Sequence, residues 1–112
     1  MADYAASSSR PWIDYIEEIT TVVINEGITR IGERAFLNMT ALTDISIPEN
    51  VTELGFAAIA SCTSLESVSI PGSIKTITEN SFNNCTKLKE IRLSEGVEVL
   101  EKNAFYGTIY YR

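Results

Sequence analysis

The sequence predicts an α/β solenoid. Stacked 23-residue coils share a parallel β-sheet and are joined by short helical turns, in about four full repeats plus a partial fifth. Three observations predict it. Shifting the 112-residue chain by 23 positions lays apolar residues over apolar residues through four copies without an insertion. Each copy opens with a Leu-x-x-Val/Ile-x-Ile phrase, whose final alternation is that of a strand with one face buried. A cluster of turn-forming residues follows every such phrase. The chain divides into an N-terminal arm and cap over residues 1–18 and an array over 19–112, with repeats at 19–41, 42–64, 65–87 and 88–110.

Residues 1–10 read as a loose arm. Pro11 can open a short helix, which places Trp12, Tyr15, Ile16 and Ile19 on one stripe that caps the first coil. The first strand of each coil points inward at Ile19, Leu42, Leu65 and Leu88, at Val22, Ile45, Val68 and Ile91, and at Ile24, Ile47, Ile70 and Leu93. The turns Asn25-Glu26-Gly27, Pro48-Glu49-Asn50, Pro71-Gly72-Ser73 and Ser94-Glu95-Gly96 come next. Pro presets φ there, while Gly and Asn tolerate positive φ, so the chain bends. A shorter apolar pair then runs back under the first strand: Ile28 with Ile31, Val51 with Leu54, Ile74 with Ile77, Val97 with Leu100. The step Ala35-Phe36, repeated at Ala58-Ile59, Ser81-Phe82 and Ala104-Phe105, reads as a tight helical turn that drops a large side chain into the centre. Met39, Cys62, Cys85 and Thr108 complete the inward columns. "GTIYYR" starts a fifth coil, with Tyr111 in the Leu88 column. One coil cannot bury such residues alone, whereas stacked coils can.

The period and the Leu-x-x-Ile-x-Ile core fall in the leucine-rich repeat range, making the fold class an α/β leucine-rich repeat solenoid. The fuller phrase, Ile-Pro-x-x-Val-x-x-Ile-Gly-x-x-Ala-Phe-x-x-Cys-x-x-Leu, resembles the BspA-like subclass of bacterial and protist surface proteins over residues 19–108. Ile59 replaces the family's Phe, Thr78 and Glu101 replace its Gly, and Met39 and Thr108 replace its Cys. Since Thr and Glu are accepted at that Gly position, it does not strictly demand positive φ. The resemblance implies a non-catalytic interaction module of a cell-surface or secreted protein, in adhesion or host contact. A structural spacer or self-assembling fragment without a dedicated ligand is the competing expectation.

Composition narrows the partners. Fifteen acidic and nine basic residues give a net charge of −6, which repels phosphate backbones and argues against nucleic acid. The sequence shows neither a membrane-spanning apolar run nor a basic amphipathic helix, so membrane insertion is not expected. The start, Met1-Ala-Asp-Tyr, lacks the basic and apolar regions of a signal peptide. A protein working outside the cell would then be represented by a mature fragment or a piece of something longer.

The two cysteines, Cys62 and Cys85, occupy one inward column and should be stacked neighbours. Adjacent strands lie ~4.8 Å apart and a disulfide accepts Cα separations of roughly 4.4–6.8 Å, so a bridge is geometrically open. Met39 and Thr108 fill the same column, which points instead to small or medium buried groups, as free cysteine can be. The sequence holds no histidine, leaving a zinc site without enough ligands and a Ser or Cys nucleophile without its usual base. No phosphate-cradling Gly-rich loop or nucleophile elbow occurs, so neither an enzyme nor a cofactor is expected. The sequons at Asn38, Asn50 and Asn84 follow from repeat turns that place Asn beside Thr, and they become glycan sites only in a eukaryotic secretory pathway.

A protein partner is expected on the outward face of the main strands, at Asp44, Ser46, Ser67, Ser69, Glu90 and Arg92. These positions equally suit plain solvated strands. The face is shorter than the roughly 20–30 residues a side of a standard interface, and Arg92 is its only hot-spot residue type. A second candidate is apolar. Leu37, Phe56, Ala57 and Ala60 share a turn surface that is polar in the other coils, and there they form either a contact patch or packing around the smaller Ile59. Tyr106, Ile109, Tyr110 and Tyr111 shield the last coil or pair with another copy, since open solenoid ends invite self-association.

Overall fold

The computed structural model describes residues 11–108. The N-terminal arm and the Ile109, Tyr110 and Tyr111 cluster lie outside the described residues. Short strands alternate between two sides of each coil. The first side carries β1 (Thr21–Val23), β3 (Asp44–Ser46), β5 (Ser67–Ile70) and β7 (Glu90–Leu93). The second carries β2 (Arg30–Ile31), β4 (Glu53–Leu54), β6 (Thr76–Ile77) and β8 (Val99–Leu100). Every pairing is parallel and joins residues 23 apart, as Val22 with Ile45 and Ile77 with Leu100.

That register stacks like on like and builds the core. Leu42, Leu65 and Leu88 are buried in one column, and Ile31, Leu54 and Ile77 in another. Val51 with Ile74 and Ile59 with Phe82 are buried in the same way. The columns open at the last coil, where Leu93 is 47% and Leu100 57% exposed. Among the described residues no strand pairs with the outer edge of β7 or β8.

The third side departs from the expected helical turn. Among the described residues the one helical segment is a single 3-10 turn at Ile13–Tyr15. The Ala-Phe step is instead a run of i+3 turns, such as Ala35 N–H to Gly32 and Leu37 N–H to Arg34. Left-handed residues recur every four positions, at Arg34 and Asn38, Ala57 and Ser61, Asn80 and Asn84, Asn103 and Gly107. A residue with φ near +60° cannot continue a right-handed helix. Alternate N–H groups then point to the next coil: Phe36 to Ala58 at 2.8 Å, Ile59 to Ser81 at 2.9 Å, Phe82 to Ala104 at 2.8 Å. This turn ladder is continuous through all four coils.

The two strand ladders are not continuous. β1 pairs with β3 and β5 with β7, and β2 with β4 and β6 with β8, but nothing pairs β3 with β5 or β4 with β6. The seam between the second and third coils therefore lacks backbone bonds on both strand sides. Pro71 has no N–H to match the Ser94-to-Ile70 bond of the next coil, but Pro48 lacks it equally where β1 and β3 do pair, so proline alone does not open the seam. On the second side, hydroxyls replace amides. Gly55 N–H reaches Ile31 O at 2.7 Å and Glu101 N–H reaches Ile77 O at 2.9 Å, whereas at the equivalent place Thr78 Oγ1 donates to Leu54 O at 3.0 Å. Glu101 has a side chain yet keeps its amide bond, so the competing Thr hydroxyl, not bulk, displaces the amide. Ser73 Oγ makes a similar bond to Val51 O at 2.6 Å.

The cap is smaller than the sequence suggests. Trp12, Ile16 and Ile19 pack on the core, but Tyr15 turns to solvent, because a single 3-10 turn does not hold the α-helical stripe. Trp12 stacks on Phe36 with centroids 5.6 Å apart and donates its indole N–H to Ala35 O at 2.9 Å. Gly32 and Gly55 both have negative φ, in keeping with Thr78 and Glu101 in their column. Of the strand-to-strand turns, only that at Gly96 uses positive φ, and Asn25, Asn50 and Gly72 do not.

Candidate protein-contact site

A cleft of about 290 Å³ lies over the seam on the β3–β5 side. Asp44, Ile45, Ser46 and Ile47 line it from the second coil, Ser67, Val68 and Ser69 from the third, and Arg92 from the fourth. Strand alternation decides which residues point where. Ile45 and Val68 turn inward and are buried, so the intervening Asp44, Ser46, Ser67 and Ser69 turn out. Five of the six sequence-derived contact residues thus share one concavity. Glu90 is the sixth, and it reaches the rim by accepting an ion pair from Arg92, Nη2 to Oε2 at 3.0 Å.

The hydrogen-bonding capacity of the cleft is lopsided. Arg92 is occupied by Glu90, while the Asp44 carboxylate has no ion-pair partner among the described residues. The hydroxyls of Ser46, Ser67 and Ser69 are equally without hydrogen-bond partners among the described residues. By the alternation of a parallel ladder, the main-chain groups of Ile45, Ile47, Ser67 and Ser69 face each other across the seam, and no backbone bond joins them. Nothing in the sequence directly signals this break; on the second strand side, Thr78 in place of Gly is the residue from which it could have been suspected.

For the apolar cluster of Leu37, Phe56, Ala57 and Ala60, burial favours packing over a contact patch. Ala57 and Ala60 are buried, so they present no surface. Phe56 is half-buried and lies beneath the Arg34 guanidinium, whose carbon sits 5.0 Å from the ring centroid. Leu37 is half-buried too. Ala57 sits at a left-handed position with its N–H bonded to Glu79 O, and that backbone geometry turns its methyl inward.

Cys62 and Cys85 are buried free thiols stacked across the same seam. Cys62 donates to Phe36 O at 3.1 Å and Cys85 to Ile59 O at 3.2 Å. The Cys62 side chain hydrogen-bonds Cys85 and holds its thiol below the ordinary range, with burial opposing. No set of three or more His, Cys, Asp or Glu among the described residues is arranged to hold a metal ion. No helix among them is long and apolar enough to cross a membrane.

A family model described as "BspA type Leucine rich repeat region (6 copies)" matches residues 14–111. Among solved structures, the chain is similar to a leucine-rich repeat protein from Bacteroides ovatus, with a TM-score of 0.74 and 29% identity over 80% of this chain and 23% of that one. It is also similar to a leucine rich cell surface protein from Faecalibacterium prausnitzii, with a TM-score of 0.61 and 25% identity over 96% of this chain and 34% of that one. The chain thus spans 23% and 34% of the lengths of these two proteins. No curated protein matches it.

Proposed function

Because the chain belongs to the BspA-type leucine-rich repeat family, we propose that it is a non-catalytic protein-interaction module that contacts its partner through the seam cleft. The observation that carries this reading is the convergence of Asp44, Ser46, Ser67, Ser69 and Arg92 from three coils on one concavity. Each coil adds one layer of outward side chains, so the contact face grows with repeat number, and four full repeats plus a partial fifth present a compact version of it. The cell-surface description of the Faecalibacterium protein supports a surface or secreted location and a role in adhesion or host contact.

The test is charge reversal without loss of fold. Asp44→Lys, Glu90→Lys and Arg92→Glu are all at exposed positions and should leave the melting temperature within a few degrees, since surface substitutions usually change stability by no more than about 0.5 kcal/mol. Each should reduce attachment of protein-coated beads to host cells. Unchanged attachment by all three would place the contact elsewhere.

A second reading, a self-assembling spacer, draws on the edges of β7 and β8, which no strand among the described residues pairs, and on exposed Leu93, Val99 and Leu100. Light scattering on a sizing column over a hundredfold concentration range separates the two. A dimer that grows in with concentration favours assembly, and a monomer throughout leaves the cleft as the contact.

A further inference from the structure

We propose that the seam cleft receives a basic side chain, lysine or arginine, presented by a partner protein; the inference rests on the reading of this face as the contact surface. The free acceptors of the cleft are the Asp44 carboxylate and the hydroxyls of Ser46, Ser67 and Ser69. Its only cation, Arg92, is already paired with Glu90. An ammonium or guanidinium head brings a positive charge to the Asp44 carboxylate, the one charge in the cleft with no ion-pair partner among the described residues, and the hydroxyl oxygens can accept its remaining N–H groups. The chain's net charge of −6 acts in the same direction, raising the local concentration of cations and repelling anions.

The set of free oxygens suits a basic side chain better than a bare metal ion. One carboxylate with three hydroxyls falls short of the roughly 6–8 oxygens that calcium takes. Ile47 packs toward the core, so the cleft takes the head of the basic side chain at Asp44 while its stem stays toward solvent. No strand bond joins the second and third coils beneath the cleft, so a head group bonded to both Asp44 and Ser67 would bridge them.

The experiment is amide NMR on the full chain with three blocked peptides, Gly-Gly-Lys-Gly-Gly, Gly-Gly-Arg-Gly-Gly and Gly-Gly-Glu-Gly-Gly. The lysine or arginine peptide should shift the amides of Ser46, Ser67 and Ser69, weakly and less so in high salt. Asp44→Asn should weaken that binding roughly threefold to fivefold, the upper range for an exposed ion pair. Glu49→Gln, which removes an acid from the turn beyond the cleft, should not. Equal affinity in Asp44→Asn, or shifts spread over the acidic surface, overturns the inference. Shifts of the same amides by the glutamate peptide alone would also overturn it, yet would leave the contact face standing. Silence at these amides with all three peptides would remove the support for the face as well.

Discussion

Phe82→Ala is expected to destabilise the protein by about 3–5 kcal/mol. Phe82 is fully buried and stacks on Phe105 with centroids 5.3 Å apart and planes 8° from parallel. Its N–H bonds Ala104 O across the coils, and its carbonyl accepts from Cys85 N–H. With a coil on each side, the surroundings cannot collapse into the space left behind, so the cavity cost adds to the lost transfer energy. A domain of this size has about 5–15 kcal/mol in total, so the variant should lose a large part of its stability. A urea melt measures it. A midpoint equal to that of the parent would mean that Phe82 is not packed as described.

Gly72→Ala is expected to cost about 1–3 kcal/mol, the range for atoms forced into a full space. A Cβ on Gly72 would run into the backbone carbonyl of Glu95 in the next coil, and backbone cannot swing aside as a side-chain tip can. Gly96 faces it, with a φ of 114° and its own Cβ direction aimed at Gly72 O. The matched control is Gly27→Ala in the first coil, where no atom lies within 4 Å of the added carbon and φ is not positive. That change should be neutral or stabilise by up to about 1 kcal/mol through the unfolded chain. If both variants melt alike, the third and fourth coils are not in contact at this turn.

Most of the fold was legible because a 23-residue spacing repeats in every inward column, and parallel pairing between coils needs only that spacing. The helical turn was misread for a physical reason. Asn80, Asn84, Asn103 and Gly107 are residue types that tolerate left-handed backbone, and their four-residue spacing marks the turns. Arg34 and Ala57 occupy the same column, are ordinary helix formers, and hide the signal. Alternation also located the outward face, since Asp44 and Ser46 must point away from a buried Ile45. The concavity could not be read that way, because it depends on the relative placement of neighbouring coils, which alternation within one strand does not report. Sequence spacing left open whether Phe56, Ala57 and Ala60 form a contact patch or pack inward, because spacing alone does not report the direction of a side chain such as that of the left-handed Ala57.

The interrupted strand ladders turn the array into something like a book, with covers of two coils each and a spine made by the Ala57, Ile59 and Ser61 amide bonds. Cooperativity in a repeat protein is carried by nearest-neighbour coupling, and here one of the three couplings is missing two of its three ladders. The two covers stay tied by the spine, the hydroxyl bonds of Ser73 and Thr78, and the one core that their side chains share. Parting them on the strand side costs less than parting either cover within itself. A partner that holds Asp44 and Ser67 together opposes that parting, so its binding and the concerted melting of the whole chain draw on the same free energy.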